Sequence, residues 1–418
     1  MAVHIDSLKR LCLLLTLIYY CGLLDFATRL VSGRATDVLA AHAAGDPARQ
    51  FVGVLLLLLA IFVLCYERDN RVTTSFNKDL IWWALLGYLM LSVLWSYVPA
   101  ITLRRVVAFS TLVLSAYVLV QSFSPLSLLR FFARAVGVIT LLGLLLVPLL
   151  PELVLVGGGI RDQAFVGLFA DKNAGARNCA YAFLLLFGLV STKTGLDKGL
   201  MLILLVAIAF ANSATAWVML LAGIGLITLL RYLHATSAQT SFNRLMLFAV
   251  LLILGCLLCY WLYEQLLGLL GRDPTLTNRM VIWQLMDGFI DIEPYWGYGF
   301  GAFWASDAAD AFVNRWGYIG NAHSGYYEAM LHGGWACLLL VVALMATGLW
   351  HAGNAYIRLS QGQSMAAPLA ILLLMIPINA VAFAVLNHNS FDMFLFALMC
   401  FTASRLAAEA QPDNWRVV

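Results

Sequence analysis

The feature that most constrains this chain is its series of long, nearly uncharged apolar runs. They fall near residues 8–26, 51–66, 80–98, 101–121, 126–149, 174–191, 198–211, 214–231, 245–264, 326–350, 366–386 and 390–407. A helix needs about 20 apolar residues to cross the hydrocarbon layer of a bilayer. No soluble core of this size could hide that much surface: 62% of residues are hydrophobic, only 11% are charged, and the mean hydropathy is +0.88. In lipid every backbone polar group must pair internally, and unbroken runs of helix length do so as helices rather than as barrel strands. The expectation is an all-α integral membrane protein of about 12 transmembrane helices, with residues 1–418 forming a single transmembrane domain.

Local features refine this picture. The run after Lys9 and Arg10 lacks a convincing small-residue cleavage site, so it reads as a retained first span rather than a signal peptide. The two shortest runs flank "ANSATA", residues 211–216, which reads as a tight polar turn or a locally broken helix. Eight cysteines lie in or at the edges of apolar runs. Cys256 and Cys259 have CxxC spacing, but "LLILGCLLCYWL" offers no polar company for redox or metal work, so these thiols read as small core residues. The net charge of +3 gives no support to a nucleic-acid partner.

Orientation follows from the cations. With the N-terminus inside, 14 of the 25 Lys and Arg residues fall on the inner side and 11 on the outer. The very short outer turns carry none. The outer cations concentrate in residues 29–49, at Arg104 and Arg105, in 161–177 and in 272–315. Clustering against the topological rule points to an anion site. Residues 265–325 form a long interruption too rich in aromatic and apolar residues for a loose loop, and long connections of this kind are usually folded or functional. "RDPTLTNRMVIWQLMDGFI" opens with Asp and Pro at helix-start positions and continues with helical spacing, which predicts an amphipathic helix at the outer face. Glycines 297, 299 and 301 then require a tight, close-packed turn.

Three stretches share that outer side. "GGGIRDQAFVGLFADKNAGARNCA" brings Arg161, Lys172, Asn173 and Arg177 to the outer end of a span. "TNRMVIW" places Arg279 near the start of the amphipathic helix, and "NAHSGYYEAMLHGG" places His323 ahead of another span, with Tyr327 four residues on along the same face. Arginine forks bind phosphate oxygens bidentately, and donors aimed at a departing diphosphate stabilise the charge that grows on it. A diphosphate leaves without protonation, so the remaining task is to deprotonate an acceptor hydroxyl. A neutral imidazole suits that role. Arg104 and Arg105 are further candidates for the lining.

"NRMVIWQ", "EPYWGYGFGAF" and "NAHSGYYEAMLHGGWACLLL", in that order, resemble the pattern of the O-antigen ligase superfamily, and "R…GLFADKN" and "NSATA" resemble its upstream elements. The motifs cover roughly residues 157–345 and the topology covers the whole chain. The resemblance implies a GT-C-like glycosyltransferase of the bacterial inner membrane with its active site on the periplasmic face, where residues 265–325 would contribute. It implies inverting, metal-independent transfer of O-antigen from undecaprenyl diphosphate to the lipid A–core of lipopolysaccharide, among membrane lipids and without a cofactor. On that pattern His323 is the base or the acceptor-positioning residue, and Arg161 and Arg279 bind the diphosphate, with Lys172 a lesser candidate. Two positions depart from the family: Ser324 follows the histidine where Asn is frequent, and Lys172 replaces the Pro before Asn173.

Other readings share these residues. Polysaccharide polymerases and protein O-oligosaccharyltransferases use the same donor. Polymerases often carry Arg-x10-Gly elements, whereas Lys172 and Ile290 stand eleven residues after Arg161 and Arg279. A transporter or flippase of an anionic lipid-linked sugar would line a path with such cations and would commonly show repeated halves, which are not seen. Asp291 and Glu293 form a D-x-E pair of the kind that holds a divalent ion elsewhere, but they end a helix before Pro294, where polar residues are common anyway.

Overall fold

In the computed structural model the described residues are 2–32, 45–66, 79–156, 163–189, 193–234, 279–317, 319–359 and 362–409. They form a helical bundle whose principal helices are α1 (Ala2–Tyr20), α2 (Leu23–Ser32), α3 (Pro47–Tyr66), α4 (Leu80–Leu91), α5 (Pro99–Ser122), α6 (Pro125–Leu145), α7 (Lys172–Gly188), α8 (Gly195–Ala211), α9 (Ala214–His234), α10 (Arg279–Ile292), α11 (Gly325–Arg358), α12 (Ala366–Val381) and α13 (Phe391–Glu409).

The helix boundaries follow local chemistry. Proline opens α5 and α6, where its missing N–H costs nothing. Asp171 caps α7 by accepting from the N–H groups of Asn173 at 2.8 Å and Ala174 at 3.0 Å. Thr194 and Asp197 close a reciprocal capping box at the start of α8. The "ANSATA" turn forms as expected: Asn212 takes a left-handed conformation (φ 48°) and ends α8, and α9 begins two residues later.

Among the described residues, seven helices are long and apolar enough to cross a bilayer, or eight if the bent pair α1–α2 is one span. Of the other expected runs, 80–98 gives the shorter apolar helix at 80–94, and α7 and α8 reach 17 residues each. The run expected at 245–264 lies outside the described residues. The expected first span is not straight. The chain breaks at Cys21–Gly22 and turns by 59° into α2. Burial sorts the spans by depth: α13 is 89% buried across its apolar window, whereas α3 and α9 are 28% buried and face outward. Five of the six described cysteines are buried and all six are unpaired, as expected of small core residues.

The span expected at 326–350 is also broken. Gly333 (φ −160°, ψ 24°) and Gly334 (φ 60°, ψ −156°) leave the helical region inside α11. Interrupting a helix strands backbone polar groups, and here neighbouring elements take them up. The Leu331 carbonyl accepts from Tyr298 N–H at 2.8 Å, the Gly333 carbonyl from the Tyr88 hydroxyl at 2.7 Å, and Trp335 N–H donates to the Pro294 carbonyl at 2.8 Å. The expected glycine turn is the piece that docks into this break. Gly297, Gly299 and Gly301 all have positive φ, and a Cβ on Gly297 would stand 2.7 Å from the Gly333 nitrogen. Helix α10 and the loop after it pack around Phe303, Trp304 and Phe312 into a small second core over this end of the bundle.

The opposite end is held separately. Arg130 and Arg134 at the start of α6 both bond Asp197. Arg405 donates to carbonyls at the end of α5, including Phe123 at 3.0 Å, and to Glu409 at 3.0 Å. Arg405 lies fourteen residues beyond Phe391 on α13, about 21 Å along the axis.

Candidate active site

The break at Cys21–Gly22, the starts of α3, α7 and α10, the loop before α11 and the α12–α13 connection meet around a cavity of about 290 Å³. Its lining includes Arg49, Arg177, Arg279 and His323. Four segments far apart in sequence thus deliver three guanidinium groups and one imidazole to one hollow.

His323 is fixed with unusual care. Its φ is +53°, a left-handed conformation that costs a residue with a Cβ about 1–2 kcal/mol. Its N–H donates to Asn321 Oδ1 at 2.9 Å. The preceding residue is held at both backbone groups: Ala322 N–H donates to Glu328 Oε1 at 2.6 Å, and Trp283 Nε1 donates to the Ala322 carbonyl at 2.9 Å. Glu328, 1% exposed, also accepts from Trp304 Nε1 at 2.9 Å. Below it, His332 Nδ1 accepts from Gly301 N–H at 3.3 Å, so this nitrogen carries no proton. Strained non-glycine backbone over-determined by its surroundings is a mark of functional sites. Burial lowers the pKa of His323, and the nearby Arg279 and Arg177 charges lower it further against the opposing pull of Asp171. The imidazole is therefore neutral at neutral pH and able to accept a proton.

The arginines are positioned by acceptors. Arg177 gives Nε and Nη2 to the two oxygens of Asp392, both at 2.9 Å, which leaves Nη1 for another acceptor. Arg49 bonds Asp25. Arg279 donates to the Val381 carbonyl at the end of α12, a neutral acceptor, so this bond leaves the guanidinium charge in place. Asp25, Asp171 and Asp392 also line the hollow, and together they match the formal charge of the three arginines. Asn387 and Asn389 add neutral polar groups.

Of the residues expected from sequence, His323, Arg279, Arg177 and Asn173 line the cavity. Lys172 is buried at the start of α7, beside the lining residues Asp171 and Asn173. Arg161 lies outside the described residues. Tyr327 does not line the hollow: its hydroxyl donates to Asp287 at 3.0 Å and its ring stacks on Trp283. The four-residue spacing does not put the two on one face, because His323 precedes α11 in a left-handed conformation while Tyr327 lies on the helix and meets α10. Arg105 is buried against Gly301, and its charge reaches Glu328 and His332. Arg104 packs against Gly45 beside α3. Glu293 accepts from the Tyr97 hydroxyl at 3.0 Å, while Asp291 is exposed. Sequence reasoning missed Asp25, Arg49 and Asp392 as lining residues. An ionisable residue inside an apolar run is itself a signal of function, and that rule points to Asp25 in the run 8–26 and Asp392 in the run 390–407.

Fold and site together define a multi-pass membrane protein with an arginine- and histidine-lined hollow at one end of its bundle. Residues 199–342 match the family described as O-antigen ligase. The matched stretch contains Arg279, His323 and Glu328, whereas Arg49, Arg177 and Asp392 lie outside it. The chain is also 23% identical over 346 residues to the exopolysaccharide production protein ExoQ of Rhizobium meliloti (strain 1021), across 72% of this chain and 77% of that protein.

Proposed function

We propose that the protein is a membrane glycosyltransferase that joins O-antigen, carried on undecaprenyl diphosphate, to the lipid A–core of lipopolysaccharide. The observation that carries this reading is the convergence of Arg279, Arg177 and Arg49 with a neutral, rigidly held His323 in a single hollow. In the reaction the acceptor hydroxyl oxygen attacks the anomeric carbon and its proton passes to His323. The bond from that carbon to the phosphate oxygen breaks with inversion, and undecaprenyl diphosphate leaves with the electron pair. Arg279, together with Arg161 and the remaining donors of Arg177, stabilises the growing negative charge, and each charged hydrogen bond contributes on the order of 1.5–3 kcal/mol. Asp392 and Asp25 hold Arg177 and Arg49 in place.

In this reading the bundle has twelve spans, counting the shorter helices α4, α7 and α8 and the apolar run at 245–264. The hollow faces the periplasm from a bacterial inner membrane, and residues 265–325 are part of the active site. Gathering the cations at one mouth favours an enzyme over a transport path.

A second reading, a polysaccharide polymerase using the same donor, is favoured by the relative named for exopolysaccharide production. One assay separates the two. Purified protein is given undecaprenyl-diphosphate glycan with either lipid A–core or a second glycan as acceptor, in the presence of a chelator. Product on lipid A–core, undiminished by chelator and almost absent in His323→Ala, is the expected result. Extension of the second glycan alone supports the polymerase. Loss of product on chelation argues for a metal at Asp291 and Glu293.

A further inference from the structure

A second hollow, also of about 290 Å³, opens at the same end of the bundle and is lined by Trp95, Tyr97, Glu293, Trp296 and Gly297. It forms where the turn between α4 and α5 meets the turn after α10. Both turns are fixed. Trp95 Nε1 donates to the Trp296 carbonyl at 2.8 Å, Tyr97 N–H donates to the Tyr298 carbonyl at 3.0 Å, and Gly297 seats in the break of α11. Trp95 and Trp296 stand edge to face at the opening, with centroids 5.1 Å apart at 62°, and Tyr97 tilts at 57° against the buried Tyr298, 4.8 Å away. Trp296 is 55% exposed and Tyr97 49%.

Aromatic residues at a membrane surface often mark the headgroup belt, but the charges here argue for a different occupant. Glu293 lines the hollow, where its Oε1 accepts from the Tyr97 hydroxyl at 3.0 Å. That carboxylate repels phosphate, whether of a lipid headgroup or of a lipid-linked diphosphate. Its other oxygen can accept a hydrogen bond from a neutral hydroxyl group, while flat rings cover the apolar faces of a sugar. We propose that this hollow is a binding site for a neutral stretch of glycan chain, separate from the cavity that holds His323. The choice of a sugar among neutral, hydroxyl-rich ligands rests on the glycan-transfer reading. The physical link between the sites is the 294–298 turn, which carries Trp296 and plugs the break in α11, the helix that begins just after His323.

The test uses full-length protein in nanodiscs of neutral phosphatidylcholine. The probe is the soluble oligosaccharide released by mild acid from the source organism's own surface polysaccharide, followed by saturation-transfer NMR and tryptophan quenching. Trp296→Ala and Glu293→Gln are expected to bind it about tenfold more weakly, the loss of one stacked ring or one charged acceptor. Trp350→Ala, which removes an exposed ring far along α11, is expected to bind as wild type. Unchanged binding in Trp296→Ala and Glu293→Gln, or no binding by any variant, overturns the proposal. So does a Trp296→Ala variant whose only change is weaker quenching by brominated lipid, which assigns the ring to the headgroups. Binding that behaves as expected in a protein that transfers no glycan upholds this site and overturns the activity.

Discussion

At the scale of single residues, the site depends on a histidine kept neutral in a left-handed backbone. Its lowered pKa has a sign that can be followed. The folded state holds the proton on His323 less tightly than the unfolded chain, whose imidazole titrates near 6.5. In the proposed reaction, base catalysis by His323 is complete at neutral pH and fails only as pH drops through the folded value, below 6.5. The stability that His323 contributes fades in the same direction. Burial is the main cause and Arg279 the next. Replacing Arg279 by Gln removes one positive neighbour and leaves the burial, so the acid limb of the rate profile moves upward toward the ordinary value without reaching it. The rate itself also drops, but the midpoint is read independently of amplitude. Initial rates across the histidine titration range, with NMR titration of the His323 ring, check this. A midpoint that stays in place or moves down would show that Arg279 does not act on His323.

At the scale of elements, the decisive feature is the plugged break in α11. Gly334 sits at φ +60° with the Tyr295 backbone 2.3 Å from where a Cβ would be, so Gly334→Ala must push the 294–298 turn out of the break. The expected loss is about 2–4 kcal/mol, since it combines backbone strain with stranded polar groups. Gly353, nineteen residues further along the same helix, has open space around it, and Gly353→Ala should be neutral or stabilising by up to about 1 kcal/mol. Thermal unfolding of the two variants in the same detergent gives the comparison, and equal melting points would refute the plug. This element also shows what a sequence reveals. The 297–301 turn and the Asn212 cap are written in local chemistry and are legible. The break at 333–334 is not, because "HGGWACLLL" reads as uninterrupted apolar helix, and only the partner turn, some forty residues earlier, makes the interruption affordable. The bend at Cys21–Gly22 is hidden in the same way inside a continuous apolar run.

At the scale of the whole molecule, the bundle separates two charged ends. Hydropathy revealed the helices, and the clustered cations Arg177 and Arg279 line the hollow. The carboxylates that hold arginines there were not legible, because Asp25 meets Arg49 across a bend and Asp392 meets Arg177 across 215 positions of sequence. The two ends also make orientation testable. Gly195 is exposed at the start of α8, beside the Arg130–Arg134–Asp197 cluster. Asp307 is exposed in the segment between α10 and α11, at the cavity end. A Cβ at Gly195 meets nothing, and Asp307 is a surface side chain, so cysteine is tolerated at both. In a background with all eight native cysteines replaced, a membrane-impermeant maleimide added to spheroplasts should label Asp307→Cys and leave Gly195→Cys unmodified until the membrane is opened. A lipid-linked donor displayed on the outer leaflet can reach His323 only in that orientation. The reverse labelling pattern would place the hollow in the cytosol and remove the proposed donor from its reach, however well the arginines are arranged.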